Sequence, residues 1–190
     1  MSVASPRKSA RERLLAAADE LFYAEGVHSV GIDRVIERAG VAKASLYSAF
    51  GSKDELIRAY LRGRHESRRA RILGGVSRFT DPRDRLLVVF DLLAESAGKP
   101  GFRGCAFYNA GSEVDPSGVV REEADHNRDW TRSLFAELAR DAGVADPAEF
   151  AEEMIVLYDG AIVGARQGRG PLAAITARAM AAVLLDAARR

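Results

Sequence analysis

A single cysteine, one tryptophan, three histidines and three methionines in 190 residues narrow the chemistry before any motif is read. One cysteine excludes an internal disulfide framework, so a reducing, cytoplasmic setting is expected. His28, His65 and His126 stand far apart, with no HExxH pair and no glycine-rich phosphate loop. No cofactor, metal site or enzyme activity is therefore expected. Long apolar runs are scarce too. Leu86 to Leu93 is interrupted by Asp91 and falls far short of the roughly 20 residues that cross a bilayer, so no membrane span is expected. No apolar run follows the first charges, which argues against a signal peptide. Net charge is only +1, yet it is unevenly spread. Residues 1–80 hold 15 Lys/Arg against 9 Asp/Glu, and residues 81–190 hold 13 against 18. A basic front and an acidic rear suit a head that binds a polyanion, joined to a body with another task.

What is present is ordinary for a globular protein: 47% hydrophobic and 29% charged residues. All six prolines (Pro6, Pro82, Pro100, Pro116, Pro147, Pro171) fall between apolar-periodic segments. Asp81-Pro82, Asp115-Pro116 and Asp146-Pro147 pair a capping side chain with a residue suited to the first helical position, and Ser5-Pro6 does so with serine. Each pair predicts a helix start. A first helix is expected from about Arg7 to Glu25, burying Leu14, Leu15, Ala18, Leu21 and Phe22 and stopped by Gly26. Ser52-Lys53-Asp54-Glu55 predicts a capping box, opening a helix with Leu56, Ile57, Tyr60 and Leu61 on one side and a weak point at Gly74-Gly75. Leu86 to Phe90 could pass for a buried strand, but Leu92 and Leu93 continue it at helical spacing. The fold class is all-α.

Between the first helix and the capping box runs GIDRVIERAGVAKASLYSAF, residues 31–50. Ile32, Val35 and Ile36 give one short helix a buried face. Ala39 permits a close crossing, Gly40 a tight turn, and Leu46 and Phe50 face a second short helix inward. This is a helix-turn-helix pattern. Lys43, Ser45 and Tyr47 lie on the outward side, where they can donate to phosphates or base edges.

The stretch AGVAKASLYSAFGSKDEL, with GIDRVIERAG before it, resembles the DNA-binding head of tetracycline-repressor (TetR-type) regulators over roughly residues 7–61. The resemblance implies a three-helix head over residues 1–52, then an effector-binding and dimerisation domain over 53–190, about nine helices in all. It implies that Tyr47 and Lys53 hold backbone phosphates. Lys43, Ala44, Ser45 and Ser48 then belong to a recognition helix in the major groove of double-stranded, near-palindromic operator DNA. Two departures stand out. Many relatives carry Ser or Thr where Ala42 stands, and larger polar side chains where Ser48 and Ala49 stand. A helix so sparsely armed is expected to read its operator partly through DNA shape.

Two half-sites about 34–36 Å apart call for a homodimer. The last two helices suit it: one carries Phe150, Met154, Ile155, Leu157 and Tyr158, then Gly160-Ala161 and Gly164-Ala165. The other carries Ile175, Ala179, Met180, Val183 and Leu184. Small residues at four-residue spacing allow close helix approach, and two helices from each chain can form a four-helix bundle. A pocket for a small-molecule effector is expected among the middle helices, with Phe90, Phe102, Phe107, Tyr108, Trp130 and Tyr158 as walls. Asn109, Glu113, His126 and Arg128 are its polar candidates. Cys105 is expected near a helix start beside Arg103, a setting that favours a reactive thiol. Its Gly-Cys segment with Ser112-Glu113-Val114 resembles that of thiol-sensing members of the same family. A redox or electrophile sensor is thus the alternative to a ligand-released repressor. An enzyme using Cys105 with His126, or a helical adaptor binding protein through the head, are rivals from other classes.

Overall fold

The computed structural model describes residues 8–112 and 118–188, and among them nine α-helices and no strand are found. The helices are α1 (Ala10–Glu25), α2 (Ile32–Ala39), α3 (Lys43–Phe50), α4 (Lys53–Val76), α5 (Pro82–Ala97), α6 (Ala106–Gly111), α7 (Gly118–Asp141), α8 (Pro147–Gly164) and α9 (Pro171–Ala188). The helix starts expected at Ser5-Pro6 and Asp115-Pro116, and Glu113 with Val114, lie outside the described residues. Contacts divide the chain into two compact units: residues 1–64 with 106–124, and residues 65–105 with 125–190. Packing therefore carries the first unit past residue 52, because Leu56, Ile57, Tyr60 and Leu61 of α4 complete its core.

In the first unit, α1 begins at Ser9, whose hydroxyl accepts from the Glu12 amide while the Glu12 carboxylate accepts from the Ser9 amide. This capping box starts the observed helix. Leu14, Ala18, Leu21 and Phe22 are buried as the spacing requires, Leu15 is half-buried, and Ala17 is buried as well. Phe22 meets Tyr60 edge to face at 5.6 Å. Arg64 pins α4 to α1 by pairing with Asp19 and lying over the Tyr23 ring. Glu123, only 5% exposed, takes Arg58 and Arg62 at 3.2 and 2.9 Å, so a buried carboxylate joins α7 to α4 with two cations to offset its desolvation.

In the second unit, α5 is the central helix. Leu86, Leu87, Val88, Val89, Phe90, Leu92 and Leu93 are all buried, so the apolar run that mimics a strand is a helix covered on every side. The Asp81 carboxylate caps it, with Pro82 at its first position, and Asp146-Pro147 does the same for α8. Phe90, Phe135 and Tyr158 form a ring cluster with centroids about 6 Å apart. The weak point expected at Gly74-Gly75 is absent, and α4 runs through to Val76. A Cβ on Gly75 would stand 2.5 Å from Leu92 Cδ1, whereas one on Gly74 would meet nothing within 4 Å. Glycine at 75 lets α4 approach α5; at 74 it only lowers helix propensity. Gly74→Ala is therefore expected to raise stability by about 0.5–1 kcal/mol. Gly75→Ala should lower it by about 1–2 kcal/mol, since overpacking outweighs the propensity gain. Urea melts of the two variants test the contrast, and equal shifts would contradict this packing.

Candidate nucleic-acid interface

The helix-turn-helix is built from short helices that would not persist alone and are held by their anchors. Val35 and Ala39 of α2 and Leu46 of α3 are buried; Ile32, Ile36 and Phe50 are half-buried. Gly40 adopts φ 62° and ψ 45°, the left-handed region that ends α2, and the Val41 amide closes the turn onto the Ile36 carbonyl at 3.3 Å. Arg13 of α1 then donates to the carbonyls of Ala39 and Gly40 at 3.3 and 2.9 Å. Arg34–Glu25 and Arg38–Glu20 pairs tie α2 to α1. These four side chains and Arg13 escape a reading based on periodicity, because their partners lie 9 to 27 residues away in sequence.

Leu46 fixes which way α3 faces. Lys43, Ala44, Tyr47 and Ser48 consequently share the exposed side, with Ser45 half-buried at its edge. Tyr47 is 47% exposed, so its ring is no core element. Ala42 caps α3 without any side-chain bond, the consequence of having alanine where a hydroxyl would serve. Ala44, Ser45, Ser48 and Ala49 line a shallow open depression with Ala10, which brings the start of α1 onto the same face. Lys53 is the first residue of α4, whose start is capped by the Ser52 hydroxyl accepting from the Glu55 amide.

One contact was not foreseeable from spacing. Lys43 Nζ donates to Asp33 Oδ1 at 3.0 Å, and this hydrogen bond raises the Lys43 ammonium above its ordinary range. Lys43 thus stays cationic, but its charge is shared with an exposed carboxylate. A surface pair of this kind is weak, and a phosphate competes with it. Asp33→Asn should raise DNA affinity about three- to tenfold at low salt by freeing Lys43 and removing an anion from the face. Fluorescence anisotropy with labelled operator would show it; unchanged affinity would mean that Lys43 does not meet DNA.

The residues expected around an effector divide between the two units. Phe107 (buried) and Tyr108 (61% exposed) lie on α6 in the first. Phe90 and Tyr158 (both buried), Trp130 (half-buried) and His126 (exposed) belong to the second, and Glu113 lies outside the described residues. Cys105 is half-buried and immediately precedes α6. A polar group that the sequence reading missed sits in the second unit. Asn127 Oδ1 accepts from Arg68 Nη1 at 2.8 Å and lies 3.2 Å from Nδ1 of buried His65. Arg68 Nη2 donates to Thr131 Oγ1 at 3.0 Å. Its signal was the match of two polar spacings, His65 with Arg68 on α4 and Asn127 with Thr131 on α7.

With this geometry in view, the relationships to known proteins fall into place. Residues 14–60 match the family described as bacterial regulatory proteins, tetR family. Over 81 residues, 43% of the chain, the sequence is 40% identical to the HTH-type transcriptional activator FasR of Mycolicibacterium smegmatis, and that match spans 37% of FasR. A TetR-family transcriptional regulator from Streptomyces coelicolor superposes with a TM-score of 0.90 at 34% identity, over 95% of this chain and 96% of that one. A TetR-type regulator from Streptomyces avermitilis gives 0.85 at 34% identity, over 95% and 98%. Likeness in both fold and sequence across nearly the full length of these chains shows that the protein belongs to the tetR family of bacterial regulatory proteins.

Proposed function

We propose that the protein is a DNA-binding transcriptional repressor, acting as a homodimer and released from its operator by a small-molecule effector. The outer face of α3 carries this reading: Lys43, Ala44, Tyr47 and Ser48 are exposed together, on a helix whose opposite side is locked by Leu46. Laid in the major groove, α3 offers the Lys43 ammonium and the Ser45 and Ser48 hydroxyls to phosphates and base edges, and the Ala44 methyl to a thymine methyl. The Tyr47 hydroxyl and the Lys53 ammonium serve backbone phosphates. Few long polar side chains reach the bases, so groove width and deformability carry part of the specificity.

Pairing is assigned to α8 and α9. Val156 and Val163 on α8, and Leu172, Ile175, Met180 and Val183 on α9, are exposed in the single chain. On α9 these recur every three to five residues and form one apolar stripe. That helix has the length and hydropathy of a membrane span, but Arg178 in its middle pairs with Asp91 at 2.8 Å. A patch of this kind on a water-facing helix suits a second protein surface. A Cβ on Gly160 of α8 would meet nothing within 4 Å, leaving room for a partner helix. An effector releases DNA only if it binds the DNA-free arrangement more tightly than the bound one.

Selection of bound fragments from genomic DNA by the purified protein tests this function. Enriched fragments should share an inverted repeat with half-sites about one helical turn, or a multiple of it, apart. Fragments sharing no repeat would defeat the dimeric-reader proposal.

A further inference from the structure

Six of the half-buried arginines, Arg58, Arg64, Arg83, Arg85, Arg132 and Arg178, each pair with a carboxylate. Arg68 and Arg71, half-buried and one turn apart on α4, have no carboxylate partner among the described residues. Arg68 donates to the neutral oxygens of Asn127 and Thr131, and its guanidinium lies 5.4 Å from the ring centres of both Trp130 and Tyr158. Arg71 Nη1 donates to the Ser96 hydroxyl, which itself donates to the Leu92 carbonyl at 2.8 Å. Arg71 Nε is buried and bonds to nothing among the described residues. Asp159 on α8 is exposed and within electrostatic reach of Arg68 and Arg128, but it forms no direct ion pair with Arg68 among the described residues.

Removing a cation from water without an anion is costly, and an orphaned buried N–H adds to the cost. The same features are favourable in a site that waits for an anion. A guanidinium matches the two oxygens of a carboxylate with a fork of parallel N–H donors, and low local polarity strengthens that bond. Half-buried Trp130 beside Arg68 would give the body of such a ligand a flat apolar face, whereas Tyr158 is buried in the ring cluster behind it.

We propose that Arg68 and Arg71 form the anion-binding element of the effector site, and that the effector is a carboxylate on an aromatic or apolar body. This rests on the effector-release reading above, but binding and release can be read separately. The probe is sodium benzoate at about 50 mM, against benzamide at equal concentration and sodium chloride at equal ionic strength, with thermal melting of the full-length protein as readout. Benzoate should raise the wild-type Tm by several degrees more than benzamide. Arg68→Met and Arg71→Met should each remove most of that difference, while retaining a cooperative melt because methionine keeps the apolar stem without the charge. If either methionine variant fails to fold, Arg68→Lys and Arg71→Lys serve instead: a point charge without the fork should retain only part of the shift. Equal shifts with benzoate and benzamide in the wild type, or a benzoate shift undiminished in the variants, would overturn the anion site. Operator binding is measured in the same samples. Release by benzoate supports the effector role; benzoate binding through both arginines without any release upholds the site and overturns that role.

Discussion

Tyr47→Phe combined with Lys53→Ala is expected to weaken operator binding about 100-fold at moderate salt with the helical fold retained. Tyr47 is 47% exposed, so losing its hydroxyl removes a donor facing solvent and leaves the ring's packing intact. Lys53 opens α4, but the cap of that helix is the Ser52 hydroxyl, which the substitution spares. Both side chains are assigned to phosphate contacts in the proposed complex. A phosphate contact is worth roughly tenfold at moderate salt, and loss of the charged one, Lys53, reduces the slope of log affinity against log salt by about one, while the neutral Tyr47 hydroxyl leaves it unchanged. Anisotropy titrations at several salt concentrations measure affinity and slope together, and circular dichroism checks the fold. Loss of affinity with an unchanged slope would mean that Lys53 does not meet phosphate.

Ile175→Asp with Val183→Asp should convert the dimer into a folded monomer and weaken operator binding by roughly 10²–10⁴-fold, the advantage that two linked heads hold over one. Ile175 and Val183 are 53% and 69% exposed, so aspartate at either position costs the single chain little. Across a dimer interface the same carboxylates would be buried unpaired, at a cost no apolar contact offsets. Ala174, fully buried beside Ile175, is the control: Ala174→Asp should unfold the second unit instead of merely separating the chains. Sedimentation velocity distinguishes monomer from dimer. A double variant that stayed dimeric would move the interface away from α9.

What the sequence made legible were features decided locally. Asp81-Pro82 and Asp146-Pro147 start helices because a capping oxygen and a fixed φ act within one turn. Gly40 ends α2 because a positive φ is needed there, and the side that α3 exposes follows from Leu46 and Phe50 alone. Features set by distant partners were read less well. Gly74-Gly75 looks like a break by propensity; only the presence of Leu92 shows that Gly75 marks a close helix crossing. Ser9 and Glu12 were a readable capping box that the neighbouring Ser5-Pro6 pair obscured. Spacing alone did not tell apart the aromatic residues expected around an effector: Phe90 sits in a ring cluster and Tyr108 faces outward. The unusual polar chemistry lies instead on Arg68, Arg71, Asn127 and Thr131, whose meaning depends on the register of α4 against α5 and α7.

The measurement that bears most directly on the central claim is a titration of the purified protein on DNA from upstream of its own coding region, against random DNA of equal length, over a range of salt. A discrete complex is expected, tighter than with random DNA and weakening as salt rises with a slope that reflects several phosphate contacts. Absence of binding to either DNA at low salt would contradict the assignment of α3 as a DNA-reading helix.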